Sequence, residues 1–147
     1  IDIMTTLNKT ASEIMVEVGV NSCTDITGFG LMGHLLEMCK GSDVCAEIKF
    51  DAIKFIEGSV EAAENNIIPG GTKRNLSFIE KHIKFSDNIN RTKQLLLADA
   101  QTSGGLLISV PNSKKEELKT KLLDSNCNVM EIGYMTEIND RKFIEVS

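Results

Sequence analysis

Met4, Leu7, Ala11, Ile14, Met15 and Val18 fall at helical spacing, with Asn8, Glu13 and Glu17 on the opposite side. The opening segment therefore reads as a helix with one apolar face, and Gly19 is placed to end it. A second helix is expected from about Leu31 to Cys39, stopping at Gly41. Val44, Ala46, Ile48 and Phe50 then alternate with Cys45, Glu47 and Lys49, the period of a strand with one buried face. Further on, Val60, Ala62 and Ala63 suggest a helix ended by Asn65 and Asn66, Leu76 to Ile79 a short helix, and His82 to Phe85 a brief strand. Thr92 to Ala98 predicts another helix, and the run Leu106, Leu107, Ile108, Val110 a buried strand. Ser113 and Glu116 stand as a capping box before Leu118, Leu122 and Leu123. Val129, Ile132 and Tyr134 indicate a strand, and Ile138 to Val146 a hairpin turning at Asn139 and Asp140. Helices mixed with crossover and hairpin connections predict an α+β domain: a mixed β-sheet packed with several α-helices.

Between these elements lie three polar, glycine-containing stretches. The first, Cys23 to His34, reads CTDITGFGLMGH and places Asp25 beside Gly28, Gly30 and Gly33 at the start of a helix. Glycines let the backbone bend and approach a ligand. Its amides and the helix N-terminus suit an anion, and a carboxylate supplies the hard oxygen that Mg²⁺ prefers. The plainer reading is a tight connection in which Asp25 and Thr27 cap the helix. The second stretch, PGGTKRN from Pro69 to Asn75, sets Gly70 and Gly71 beside Lys73 and Arg74. It reads either as an anion-holding turn or as a solvated surface turn. The third, Thr102 to Gly105, is a tight polar lead-in to the following strand. His34, flanked by Leu35 and Met38, reads as a structural histidine.

Gly28, Gly30 and Gly33 also match GxGxxG, with Asp51 placed roughly where a ribose-binding acid would fall. Two features oppose a dinucleotide site. CTDIT lacks the apolar run of a central parallel strand, and Asp25 would set a carboxylate against the pyrophosphate.

The 147 residues suffice for one domain with a real core. The chain begins at Ile1 rather than Met, so a fragment or processed chain with a missing partner domain is expected. A net charge of -5 disfavours nucleic acid and anionic membranes as partners. Tyr134 and six Phe are the only aromatics, which leaves no stacking platform for single strands. No run is long enough to span a bilayer, and no signal peptide is seen. Cys23, Cys39, Cys45 and Cys127 form no CxxC pair and show no metal-ligand spacing, so mostly buried, reduced thiols and a cytoplasmic location are expected.

Taken in order, MTTLNKTASEIM, CTDITGFGLMGH, IIPGGTKRN and ADAQTSGGLLISVP resemble the C-terminal domain of the selenophosphate synthetase family, the selenide, water dikinases. That family lies in the superfamily related to aminoimidazole ribonucleotide synthetase. One departure is Ala100, where the family usually has Pro; it loosens that turn. The resemblance implies conversion of ATP, selenide and water to selenophosphate, AMP and phosphate, with Mg²⁺ required. It also implies a homodimer whose nucleotide sites form mainly on N-terminal, ATP-binding domains absent from this chain. Asp25 then corresponds to a Mg²⁺ ligand, and Thr102, Ser103, Gly104 and Gly105 are candidate phosphate or substrate contacts. The nucleophile, the lysine and the remaining aspartates lie in the N-terminal domain, so no catalytic residue is expected here and the fragment alone is expected to be inactive. The competing class is a non-catalytic assembly module, in which the glycines merely permit close packing against another domain.

Overall fold

In the computed structural model, which describes residues 5–138 and 142–147, six helices accompany two separate sheets. Helix α1 (Lys9–Val18) buries Ile14 and Val18 and ends where Gly19 adopts φ 78° and donates its N–H to the Met15 carbonyl. It begins later than expected: Leu7 is exposed, and Met4 lies outside the described residues.

Strand β1 (Ser22–Asp25) occupies what reads in sequence as loop. It has no alternating pattern of its own and is ordered by antiparallel pairing with the distant β4 (Leu106–Ser109), in a register that sets Asp25 opposite Leu106. Helix α2 (Gly30–Ser42) buries Met32, Leu35, Leu36 and Cys39. It runs through Gly41 and ends at Asp43, which takes the left-handed conformation with φ 50°. A short acidic side chain tolerates that conformation better than most.

Strand β2 (Val44–Ile48) follows the expected alternation, except that Cys45 is also buried. Helix α3 (Ser59–Glu64) stops at Asn65, as expected. The largest revision concerns PGGTKRN. Pro69 is the N-cap of a continuous helix α4 (Gly70–Ile79) that absorbs both the expected turn and the short helix after it. Thr72, Leu76 and Ile79 are its buried stripe, and proline fits such a helix start because it has no N–H to satisfy there.

Strand β3 (Ile83–Phe85) and helix α5 (Arg91–Leu97) fall close to where the sequence puts them, α5 being capped by the Asn90 side chain accepting the Lys93 N–H. The capping box before α6 (Lys115–Asp124) does not form. Ser113 lies in a 3₁₀ turn (Asn112–Lys114), Lys114 takes the N-cap position, and no side chain caps it.

Strands β5 (Gly133–Glu137) and β6 (Ile144–Val146) complete a mixed sheet of order β3-β6-β2-β5. β5 pairs antiparallel and β6 parallel to β2, which lies between them, so the expected hairpin does not form. Its expected turn at Asn139 and Asp140 lies outside the described residues. β3 pairs parallel with β6.

The larger core joins α2, α4 and α5 to this four-stranded sheet through Leu36, Leu76, Leu97, Ile144 and Val146. A smaller one packs Ile14 and Val18 of α1 against Leu118 and Leu122 of α6, with Ile108 of β4 beside them. β4 is half-buried throughout rather than buried, because it belongs to a sheet of only two strands. The architecture is α+β, with the mixed sheet expected from the sequence.

Candidate functional site

Asp25 ends β1, exposed to solvent. The chain then turns through residues 26–30, and three neighbours hold that turn. The Ile26 N–H donates to the Gly105 carbonyl at 3.0 Å, and the Thr27 carbonyl accepts both the Gly30 N–H at 3.1 Å and the Gln101 N–H at 2.9 Å. The Asn75 side-chain amide donates to the Gly28 carbonyl at 2.8 Å and to the Ala98 carbonyl at 3.1 Å.

Two glycines make this proximity possible. Gly30 has φ 70°, and a Cβ there would meet the Ala98 carbonyl carbon and the Asp99 oxygen, each at 2.7 Å. A Cβ on Gly104 would lie 2.2 Å from the Ile26 oxygen. Both contacts are backbone against backbone, so any larger residue forces the loops apart.

His34 supports the turn from within α2. It is buried, and its Nε2 accepts the Thr27 N–H at 3.1 Å with the Thr27 hydroxyl 3.2 Å away. An accepting Nε2 places the neutral ring's proton on Nδ1. There a Glu37 oxygen lies at 3.3 Å, off the direction a hydrogen bond requires. The histidine is structural, as its apolar neighbours suggest, and the group it serves is a backbone amide two residues beyond Asp25.

All four motifs meet here. Asn8, from the first, donates its side-chain amide to the Gly104 carbonyl at 2.9 Å. Gly104 and Gly105 therefore act through their backbones, while Thr102 and Ser103 are exposed on the same loop. From the GGTKRN segment, Asn75 turns toward the site, and the buried Thr72 hydroxyl donates to Asp99. Lys73 and Arg74 are exposed, and the Arg74 guanidinium lies back over Gly70. The anion-holding turn is replaced by helix. Asn75, Asp99 and Asn8 were not singled out by sequence reasoning, because their hydrogen bonds to distant loops leave no periodic signal.

The geometry removes the dinucleotide alternative. β1, which precedes Gly28, is antiparallel and lies in a different sheet from β2, which precedes Asp51. The parallel βαβ unit that such a site needs is not formed by these elements.

Among the described residues, the Asp25 carboxylate has no hydrogen-bond or ion-pair partner, and no group of three or more His, Cys, Asp or Glu is placed to hold a metal. Mg²⁺ is commonly held by one or two carboxylates together with waters and substrate phosphates. An exposed, unpaired Asp25 fits that role as a single ligand. All four cysteines are free, two of them buried and two half-buried. Burial, and then the neighbouring Cys45, push the Cys39 thiol up to about 11. Cys23 is also raised, by burial and then by Asp25.

Residues 3–144 match the family described as AIR synthase related protein, C-terminal domain. The chain is similar to the selenide, water dikinase of Carboxydothermus hydrogenoformans, at 48% identity over 92% of this chain and 39% of that protein. It is likewise similar to that of Caldanaerobacter subterraneus, at 49% over 83% of this chain and 35% of that protein. For the one from Clostridioides difficile the figures are 48%, 80% and 34%. The chain thus spans roughly a third to two fifths of the length of the curated relatives it matches. With that match covering nearly its whole length, the chain belongs to the AIR synthase related protein family as its C-terminal domain.

Proposed function

We propose that this chain is the C-terminal domain of an enzyme that makes selenophosphate from selenide, ATP and water, releasing AMP and phosphate, and that Asp25 is its ligand to Mg²⁺. The observation that carries the reading is an exposed carboxylate, without a partner among the described residues, at the point where all four family motifs converge. Mg²⁺ held there would neutralise charge on the ATP phosphates as they are transferred.

This chain's own residues fix the position of the carboxylate. Ile26, Thr27 and Gly28 anchor the turn to the Gln101–Gly105 loop and to α4. Thr102, Ser103, Gly104 and Gly105, on the loop bonded to the turn, are the candidate phosphate or substrate contacts. One carboxylate cannot by itself neutralise a triphosphate, so the remaining carboxylates, the nucleophile and a basic group come from an N-terminal, ATP-binding domain of the same protein. In this reading the working form is a cytoplasmic homodimer. Phe29, 56% exposed on the same turn, gives the partner domain an apolar surface to pack on.

The test is Asp25→Asn in the full-length protein, which removes charge while keeping shape. The Mg²⁺ concentration for half-maximal ATP turnover should rise at least tenfold, about 1.4 kcal/mol of lost metal affinity, with an unchanged melting temperature. Unaltered turnover at limiting Mg²⁺ would exclude Asp25 as a ligand.

A further inference from the structure

Building on the reading of Asp25 as a Mg²⁺ ligand, we propose that Asn75 is a positioning residue for that carboxylate. Its side-chain amide clips the turn after Asp25 to the segment that leads into the QTSGG loop.

The amide nitrogen carries two hydrogens, and it meets two carbonyls: Gly28 at 2.8 Å and Ala98 at 3.1 Å. Both partners are acceptors, so the orientation of the amide is settled by chemistry. Asn75 itself stands on α4, whose buried Leu76 and Ile79 anchor the helix to the larger core while the buried Thr72 bonds Asp99. A rigid element thus ties the turn after Asp25, exposed at Gly28, to a segment already seated in the larger core through the buried Ala98. Gly28 is three residues beyond Asp25, and Ala98 lies one residue before Asp99, the acceptor of the Thr72 hydroxyl. The same helix face therefore holds both loops. This assigns the GGTKRN segment to its last residue, the asparagine, rather than to the exposed Lys73 and Arg74.

Carboxylate ligands lose affinity when their supporting contacts loosen, and outer contacts commonly change metal affinity by about 10–100-fold. The experiment uses the full-length enzyme with MgCl₂ and ATP and compares Asn75→Ala, Asn75→Ser and Asn75→Asp with Asp25→Asn. Three quantities are read: the Mg²⁺ concentration for half-maximal selenide-dependent turnover, kcat at saturating Mg²⁺, and hydrogen exchange in peptides covering residues 26–30 and 98–101.

Asn75→Ala should raise the Mg²⁺ requirement roughly tenfold with kcat changed by less than about twofold, and both peptides should exchange faster. Asn75→Ser, which retains a donor for one carbonyl, should fall between Ala and the natural residue. Asn75→Asp, which sets a carboxylate against two carbonyls, should be the most severe. Asn75 is only half-buried, so these variants are expected to fold.

A lower melting temperature or faster exchange with an unchanged Mg²⁺ requirement would show a merely structural residue and overturn the proposal. If Asp25→Asn raises the requirement and Asn75→Ala does not, the metal reading stands and the clip is refuted. If Asp25→Asn itself is without effect, the metal reading fails and takes this proposal with it.

Discussion

In the four-stranded sheet, Ala46, Ile48, Ile144 and Val146 are all buried beneath α2, α4 and α5. In the two-stranded sheet, by contrast, every residue of β4 is half-buried and β1 ends on an exposed aspartate. The first region holds its shape by apolar burial, which tolerates some repacking provided volume is kept. The second relies on backbone hydrogen bonds, a buried histidine and glycines that let loops touch. Such contacts fix position closely while burying little. That suits the role proposed for this loop, holding a carboxylate at a surface rather than sealing a core, and it makes the two regions fail differently when mutated.

The largest stability effect is expected on the buried side. Leu36→Ala removes a side chain that is 1% exposed and should cost about 2–5 kcal/mol. Chemical denaturation should show the lost stability, while the Mg²⁺ requirement of the folded enzyme stays unchanged. Gly104→Ala should reverse the balance. Its new Cβ collides with the Ile26 carbonyl, so the loops must separate, at about 1–3 kcal/mol. Turnover at limiting Mg²⁺ should fall by at least tenfold, because the strand end bearing Asp25 shifts. Equal damage to stability from both, with no separate effect on Mg²⁺, would erase the distinction between the regions.

The smallest effect concerns pH. His82, beside β3, is held below its usual 6.5 by partial burial and by Lys40, Lys81 and Lys142. Its proton affinity is therefore lower in the fold than in the unfolded chain. Between the lowered value and 6.5 the unfolded state binds more protons, so stability falls as pH falls through that window. His82→Gln should flatten this acid-side decline, by no more than the roughly 0.5 kcal/mol typical of surface changes. A melting temperature measured from pH 7 to pH 5 checks it, and a steeper decline in the variant would contradict it.

Much of the larger region was readable in advance. Helical spacing located α1 and alternation located β2, because burial on one face imposes its period on the sequence, and the helices expected over 31–39 and 92–98 fall within or beside α2 and α5. β1 was hidden, since its order comes from pairing with β4 far along the chain. The hairpin expected over 138–146 failed for the same reason: β2 inserts between β5 and β6, and local turn residues carry no information about a third strand. PGGTKRN misled because glycines and charges suggest a turn, whereas Thr72, Leu76 and Ile79 found a core that stabilised helix.

At the site, the sequence by itself determined which residues were available: one aspartate, flexible glycines around it, a structural histidine and a second polar loop. Only the tertiary structure decided that these stretches meet, that the Asp25 carboxylate has no partner among the described residues, and that Asn75 and Asn8 reach across to the loops. The division is physical. Periodicity records which face of an element is buried, but a hydrogen bond between two loops depends on where the whole chain brings them.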